Sequence, residues 1–265
     1  MISEALKYLT TPCPRPLRAM GYLTELIALE ARFRRCRSHW QPHLDKTRSV
    51  IAEAVSATAR YDKVVVLGCG ILTDIPIDLL CTTFAEVQLV DVCFLRQTRN
   101  ALRQYANIQW RLCDITGVAR PVYDWVAGKP DAESPPTPTS PGDITLAGAD
   151  LVISANILSQ LPLLPLEYLQ KKKPDLDEET LFGFAEGIVK HHLEFLQTAP
   201  ATICLISEVE RQMCDGQTVV EREDPLFGVP LVQSGEEWFW DMAPKTETAG
   251  DVDIRNRVRG TYWQR

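Results

Sequence analysis

KVVVLGCG, residues 63–70, decides the fold. Three valines and a leucine in an unbroken run read as a strand buried on both faces, and the run stops on Gly68 and Gly70. Toward the C-terminus the same unit recurs. TDIPIDLLCTTF (73–84) has the chemistry of a helix start, with Asp74 placed to cap and Pro76 in the first turn. EVQLVD (86–91) is a second strand ending on Asp91, 95–106 is an amphipathic helix, and NIQWRLCD (107–114) is a third strand ending on Asp114. ADLVISAN (149–156) and TICLISEVE (202–210) read as strands four and five, with a helix over 177–197 between them. Alternation in units of just over twenty residues predicts a doubly wound, Rossmann-like α/β sheet with right-handed crossovers.

Outside that repeat the chain changes character. Residues 1–60 read as an N-terminal helical cap, with apolar periodicity over 17–33 and again over 43–58. Between those stretches RFRRCRSHW (32–40) collects Arg32, Arg34, Arg35, Arg37 and His39, a run that reads first as a solvated face and leaves room for an acidic substrate group. Residues 61–265 form the sheet domain. Within it 128–143 carries five prolines and reads as a surface insertion. The stretch 159–180, with its prolines and Lys triplet, reads as a lid-like connection. QTVVERE (217–223), EEWFWDM (236–242) and DIRNRVRGTYWQR (253–265) alternate apolar and polar residues, as antiparallel strands at a sheet edge do.

Composition narrows the function. The 265 residues carry 28 Lys plus Arg against 35 Asp plus Glu, a formal charge of −7, which argues against a nucleic-acid partner. No apolar run approaches the ~20 residues of a membrane span, and the first residues lack the pattern of a secretory signal. Eight scattered cysteines without a CxxC read as reduced thiols in a cytoplasmic protein. Cys36, His39 and His43 have zinc-ligand spacing, but the surrounding arginines repel a dication and no fourth ligand is near, so no metal is expected.

Three features fall at strand C-termini, where open α/β sheets bind ligands. Gly68, Cys69 and Gly70 let backbone approach a ligand. Asp91, 21 residues beyond Gly70, is spaced to accept both hydroxyls of a ribose. Asp114 with Ile115 suits an adenine edge. A dinucleotide would set its pyrophosphate against Asp74, and Thr73 stands where the third glycine of that fingerprint belongs. A sulfonium ligand carrying an ammonium tolerates acidic surroundings, which points to S-adenosylmethionine ahead of NAD(P).

Through VVVLGCG (64–70), LVD (89–91), CDI (113–115) and DLVISANILSQL (150–161), residues 60–265 resemble the class I S-adenosylmethionine-dependent methyltransferases. LTDIPIDLL (72–80) and ANILSQLP (155–162) resemble a bacterial subgroup of that family. The resemblance implies a seven-stranded sheet with an antiparallel last strand, and methyl transfer to a small-molecule acceptor. It implies a cofactor set of Gly68, Cys69, Gly70, Asp74, Asp91, Val92, Asp114, Ile115, Ser154 and Asn156, with Ser154 and Asn156 beside the methyl group. The sequence departs from the family at Val66, where an acidic residue is usual, and at Leu72, where a glycine is usual; Asp74 stands as the replacement carboxylate. Asn156 and Gln160 are candidate acceptor contacts, and His43 is the histidine placed to serve as a base. The alternatives are a catalytically silent binding module of the same fold and, further off, an NAD(P)-dependent oxidoreductase.

Overall fold

The computed structural model describes residues 2–129, 134–139, 144–248, 250 and 252–264. The N-terminal helices are α1 (Ile2–Thr10), α2 (Arg15–Ala19) and α3 (Tyr22–Ala57). The sheet units come next: β1 (Lys63–Leu67), α4 (Ile77–Thr83), β2 (Glu86–Asp91), α5 (Arg96–Ala101), β3 (Ile108–Leu112), α6 (Ala119–Val126), β4 (Leu151–Ala155), α7 (Leu163–Lys172), α8 (Glu178–Gln197) and β5 (Thr202–Asp215). Three strands close the chain: β6 (Thr218–Glu223), β7 (Glu236–Ala243) and β8 (Asp253–Trp263).

The strand order is β3-β2-β1-β4-β5-β8-β7, with β6 paired to β5 off this path. β1 to β5 are mutually parallel, and β8 enters antiparallel between β5 and β7. This is the doubly wound sheet with an antiparallel last strand. It has eight strands among the described residues where seven were expected, because β5 runs for 14 residues. Its far half passes a register shift between Glu208 and Glu210 and pairs with β6 as a hairpin. Val64 to Leu67 and Leu151 to Ile153 have no exposed surface, so the continuous apolar runs fill the two central strands.

The N-terminal region differs from its expectation. From Tyr22 onward the two periodic stretches and the basic run between them are one helix of 36 residues, α3, while Leu17 belongs to the separate helix α2. Pro42 lies inside it, a position that costs about 3 kcal/mol through a lost hydrogen bond and a ring clash. Burial on one face offsets that cost: Cys36, Trp40, His43, Leu44 and Thr47, at three- and four-residue spacing, are all at most 3 % exposed. The arginines are the outer face of the same turns. Arg35 makes two 2.7 Å bonds to Glu247, and Arg34 approaches Glu30 at 3.8 Å. Further down, Val50, Ile51, Ala54 and Val55 share one core cluster with Val64, Val66, Ile153, Cys204 and Val258. The helix thus descends one face of the sheet, while α6 and α8 help cover the other.

Three further details depart from the sequence reading. The 159–180 stretch holds helix α7, whose Pro162 and Pro165 sit at the cap and in the first turn, where a missing N–H is harmless. Helix α6, after β3, has no counterpart in the sequence reading. The first helix after β1 begins at Ile77 without a side-chain cap, so Asp74 is left for another role. The prolines Pro130 and Pro141 of the 128–143 insertion lie outside the described residues.

Candidate functional site

At the ends of β1, β2 and β4 the chain brings backbone turns and acceptor groups together. Gly68 has φ +68° and Gly70 φ +53°, and a Cβ on Gly68 would stand 2.5 Å from Ile157 Cγ1. Glycine is therefore required there on two counts, conformation and space. Leu72 takes φ 63°, a left-handed conformation that favours glycine, at a cost of about 1 kcal/mol.

Asp91 folds back on the loop. Its Oδ2 accepts from Gly70 N and its Oδ1 from Val92 N, both at 2.7 Å. A carboxylate accepts about four hydrogen bonds, and with the Cys93 amide also turned toward it about one direction remains for a further donor. Burial raises its pKa to about 6, and the amides of Gly70, Val92 and Cys93 pull the other way.

Asp114 is occupied differently. Its Oδ1 accepts from Thr116 N at 2.9 Å and from Thr116 Oγ1 at 2.6 Å, while Oδ2 accepts from Ala119 N at 2.8 Å. The carboxylate thus organises the turn into α6. Ile115, 5 % exposed, lies in the core with Val118 and Val122. Cys69 also turns inward, its Sγ 3.2 Å from Val90 O.

After β4 the chain turns at Asn156, which has φ 55° and is buried. Asn156 N donates to Ile206 O at 2.8 Å, and its Nδ2 donates to Asp74 Oδ2 at 2.8 Å. Its Oδ1 is buried with no partner. Burial raises the Asp74 pKa, with the Asn156 amide opposing it. Asp74 and Asn156 thus set a carboxylate beside an unused carbonyl. Gln160, exposed, donates to Asn156 O at 2.6 Å and braces the turn.

Ser154 and His43 stand apart from this group. Ser154 Oγ lies 2.9 Å from His192 Nε2, under helix α8 on the opposite face of the sheet from α3. His43 stacks on Trp240 with ring centroids 4.2 Å apart and accepts from Trp238 Nε1 at 3.0 Å. Burial lowers its pKa to about 3, which keeps the ring neutral and unsuited to proton transfer near pH 7.

Two residues unremarked in the sequence border the site. Leu29 Cδ2 lies 3.6 Å from the position of a Cβ on Gly70. Tyr22 is close enough to Asp114 and Asp91 that both carboxylates add to burial in raising its pKa. Both belong to α3, and nearby Leu23, Leu26 and Ile27 pack with Cys93, Leu95, Ile71 and Val92. The only sequence signal for them was the apolar periodicity of 17–33.

No known family model and no curated protein matches the chain. Solved structures give distant likenesses. N-methyltransferase NodS from Bradyrhizobium japonicum, in complex with S-adenosylhomocysteine, is 11% identical with a TM-score of 0.35, over 81% of this chain and 85% of that one. The 1,6-didemethyltoxoflavin-N1-methyltransferase of Burkholderia thailandensis is 10% identical with a TM-score of 0.36, over 94% and 92%. Precorrin 8W decarboxylase of Methanobacterium thermoautotrophicum is 12% identical with a TM-score of 0.28, over 82% and 90%. Likeness of this degree assigns no activity; the reading rests on strand order and on the groups at the strand ends.

Proposed function

We propose that the protein binds S-adenosylmethionine at the ends of β1, β2 and β4 and transfers its methyl group to a small-molecule acceptor. The observation that carries this reading is the buried, unpartnered Oδ1 of Asn156 beside the Asp74 carboxylate. A stranded buried acceptor next to a half-buried acid suits a cationic donor, and the cofactor's ammonium is one. The residues fit the rest of that ligand. The glycines at 68 and 70 bring backbone to the strand end, with Leu29 beside Gly70, and Asp91 keeps acceptor capacity for a ribose hydroxyl.

When bound, S-adenosylmethionine supplies a methyl group on a sulfonium for in-line displacement. The chain's contribution is to hold and align. Asp91 fixes the ribose end, Asp74 with Asn156 fixes the amino-acid end, and Gln160 holds the Asn156 backbone in its left-handed turn. His43 takes no part in proton removal, so rate comes from positioning an acceptor that loses its proton to water or to a group of its own.

A second reading, a silent binding module, is favoured by Leu29 and Tyr22, which stand where a nucleoside would enter. Calorimetry separates the readings and tests the ammonium contact. Wild type is expected to bind S-adenosylhomocysteine more tightly than 5′-methylthioadenosine, which lacks the amino-acid end. Asn156→Ala is expected to lose most of that preference. Absence of heat with either ligand removes the methyl-transfer reading, and an unchanged preference in Asn156→Ala removes the ammonium contact.

A further inference from the structure

Beneath the middle of α3 lies a second group of buried polar side chains that the cofactor contacts above do not use. Arg211 of β5, Asn256 of β8 and Trp240 of β7 are directly opposite one another across three neighbouring strands, so their side chains form one row on one face of the sheet. Each holds a buried polar atom without a hydrogen-bond partner: Arg211 Nε, Trp240 Nε1 and Asn256 Oδ1, while Asn256 Nδ2 turns one N–H toward Glu208 and keeps the other. Thr47 Oγ1, on the buried face of α3, is in the same condition. Asn256 and Thr47 have no exposed surface.

Glu208 ties this row to the candidate site. It is 2 % exposed, its Oε2 accepts from Ser159 Oγ at 3.1 Å, and Arg211 reaches the same oxygen at 3.5 Å. Burial raises its pKa, and the neighbouring Arg211, Ser159 and Asn256 oppose that rise. Ser159 lies three residues beyond Asn156, and Glu208 two residues beyond the Ile206 carbonyl that accepts from Asn156 N. The row therefore begins at Arg211, five residues along β5 from the Ile206 carbonyl, with Glu208 between the two.

Buried polar groups in folded proteins are almost always paired, so this concentration calls for a partner. We propose that the row is a recognition subsite for the methyl acceptor, taking an uncharged planar edge with an N–H beside a carbonyl or ring nitrogen, as in a lactam or cyclic ureide. The proposal rests on the methyl-transfer reading for the ligand's role, but not for its binding. The side-chain amide of Asn256 offers a donor and an acceptor in one plane, which matches such an edge in two hydrogen bonds. Trp240, Arg211 and Thr47 supply further donors. The edge is uncharged because Glu208 and Arg211 already balance each other, and a third buried charge would lack a counterion. Helix α3 covers the row through His43 stacked on Trp240. Pairing the stranded groups then offsets the cost of shifting the helix to admit a ligand.

The test titrates uracil, a probe with such edges, into the full-length protein with and without saturating S-adenosylhomocysteine. A control uses 1,3-dimethyluracil, which lacks the N–H donors. Saturable uracil binding is expected, at least about tenfold weaker for the dimethyl compound. Asn256→Leu and Thr47→Val are expected to weaken uracil by about tenfold and severalfold, with S-adenosylhomocysteine affinity unchanged. If Asn256→Leu fails to melt cooperatively, Thr47→Val carries the comparison. No uracil binding, equal binding of the two compounds, or unaltered affinity in a folded variant overturns the subsite. Failure of wild type to bind S-adenosylhomocysteine while uracil still discriminates overturns the methyl-transfer reading and leaves the subsite standing.

Discussion

The loops after β2 and β3 start from the same parts and reach opposite ends. Each leaves a parallel strand, each presents an aspartate near the strand's C-terminus, and the two strands pair directly, Asp91 opposite Leu112. Asp91 takes backbone amides only, those of Gly70 and Val92 with that of Cys93 beside them, and so ties the loop after β1 to the end of β2 and faces the space a ligand would fill. Asp114 accepts two groups from Thr116 and one from Ala119, and so serves the start of α6. A strand-end carboxylate is thus a ligand group or a fold group according to the donors that the next few residues present to it. After Asp91 comes an extended loop, and after Asp114 a Thr and a helix that need an acceptor.

Substitutions sharpen this contrast. The largest effect is expected at Gly68, in the loop that Asp91 holds through Gly70. Gly68→Ala meets Ile157 and a positive φ together and is expected to cost about 2–4 kcal/mol in denaturant unfolding. Adding Ile157→Ala should return part of that by removing the clash. A single variant as stable as wild type breaks the geometry claimed for the loop. Next, Asp114→Ala should cost about 2 kcal/mol of stability, since three donors lose their acceptor. The folded fraction should keep its affinity for S-adenosylhomocysteine. A large loss of affinity there would put Asp114 in the ligand site after all.

The smallest effect is one of pH. The Asp91 carboxyl, raised to about 6, must be ionised to accept from a ribose hydroxyl. Affinity is therefore full above that value and is expected to fall about tenfold between pH 7.5 and pH 5, with a flat profile in Asp91→Asn. The sign for stability is opposite at this residue. A carboxyl whose folded pKa is raised favours the folded state as pH falls through about 6, so Asp91 itself does not unfold the protein in acid. His43 and His192, lowered to about 3 and about 4, act the other way. They withdraw stability as pH drops below the ordinary histidine value, so melts taken in parallel separate unfolding from loss of binding.

Much of the architecture was legible because KVVVLGCG, EVQLVD and DLVISA are short, mainly apolar strands whose ends are marked by Gly, Asp or Asn. Helix α3 was not, because its arginines lie on the outer face of the turns whose inner face is Cys36, Trp40 and His43. Helix α7 was obscured by prolines that sit where a helix tolerates them, and α6 by a face of only Ala119, Val122 and Trp125. In the site, residue type and spacing placed Gly68, Gly70, Asp74, Asp91 and Asn156 near one another. They could not separate Asp114's occupation from that of Asp91, since both are Asp at strand ends. Nor could they show that Ser154 and Ile115 face inward, because strand parity needs the neighbouring elements to say which face is which. Glu208 reads in the sequence as no more than the end of an apolar run, although a lone acid in such a run is itself a signal.

The most direct measurement is calorimetric titration of S-adenosylhomocysteine into wild type and Asp91→Ala, both shown to be folded. Saturable one-to-one binding by wild type, weakened at least about tenfold by the substitution, is the expected result. Equal affinities, or no binding by wild type at millimolar ligand, would contradict a nucleoside held at the end of β2.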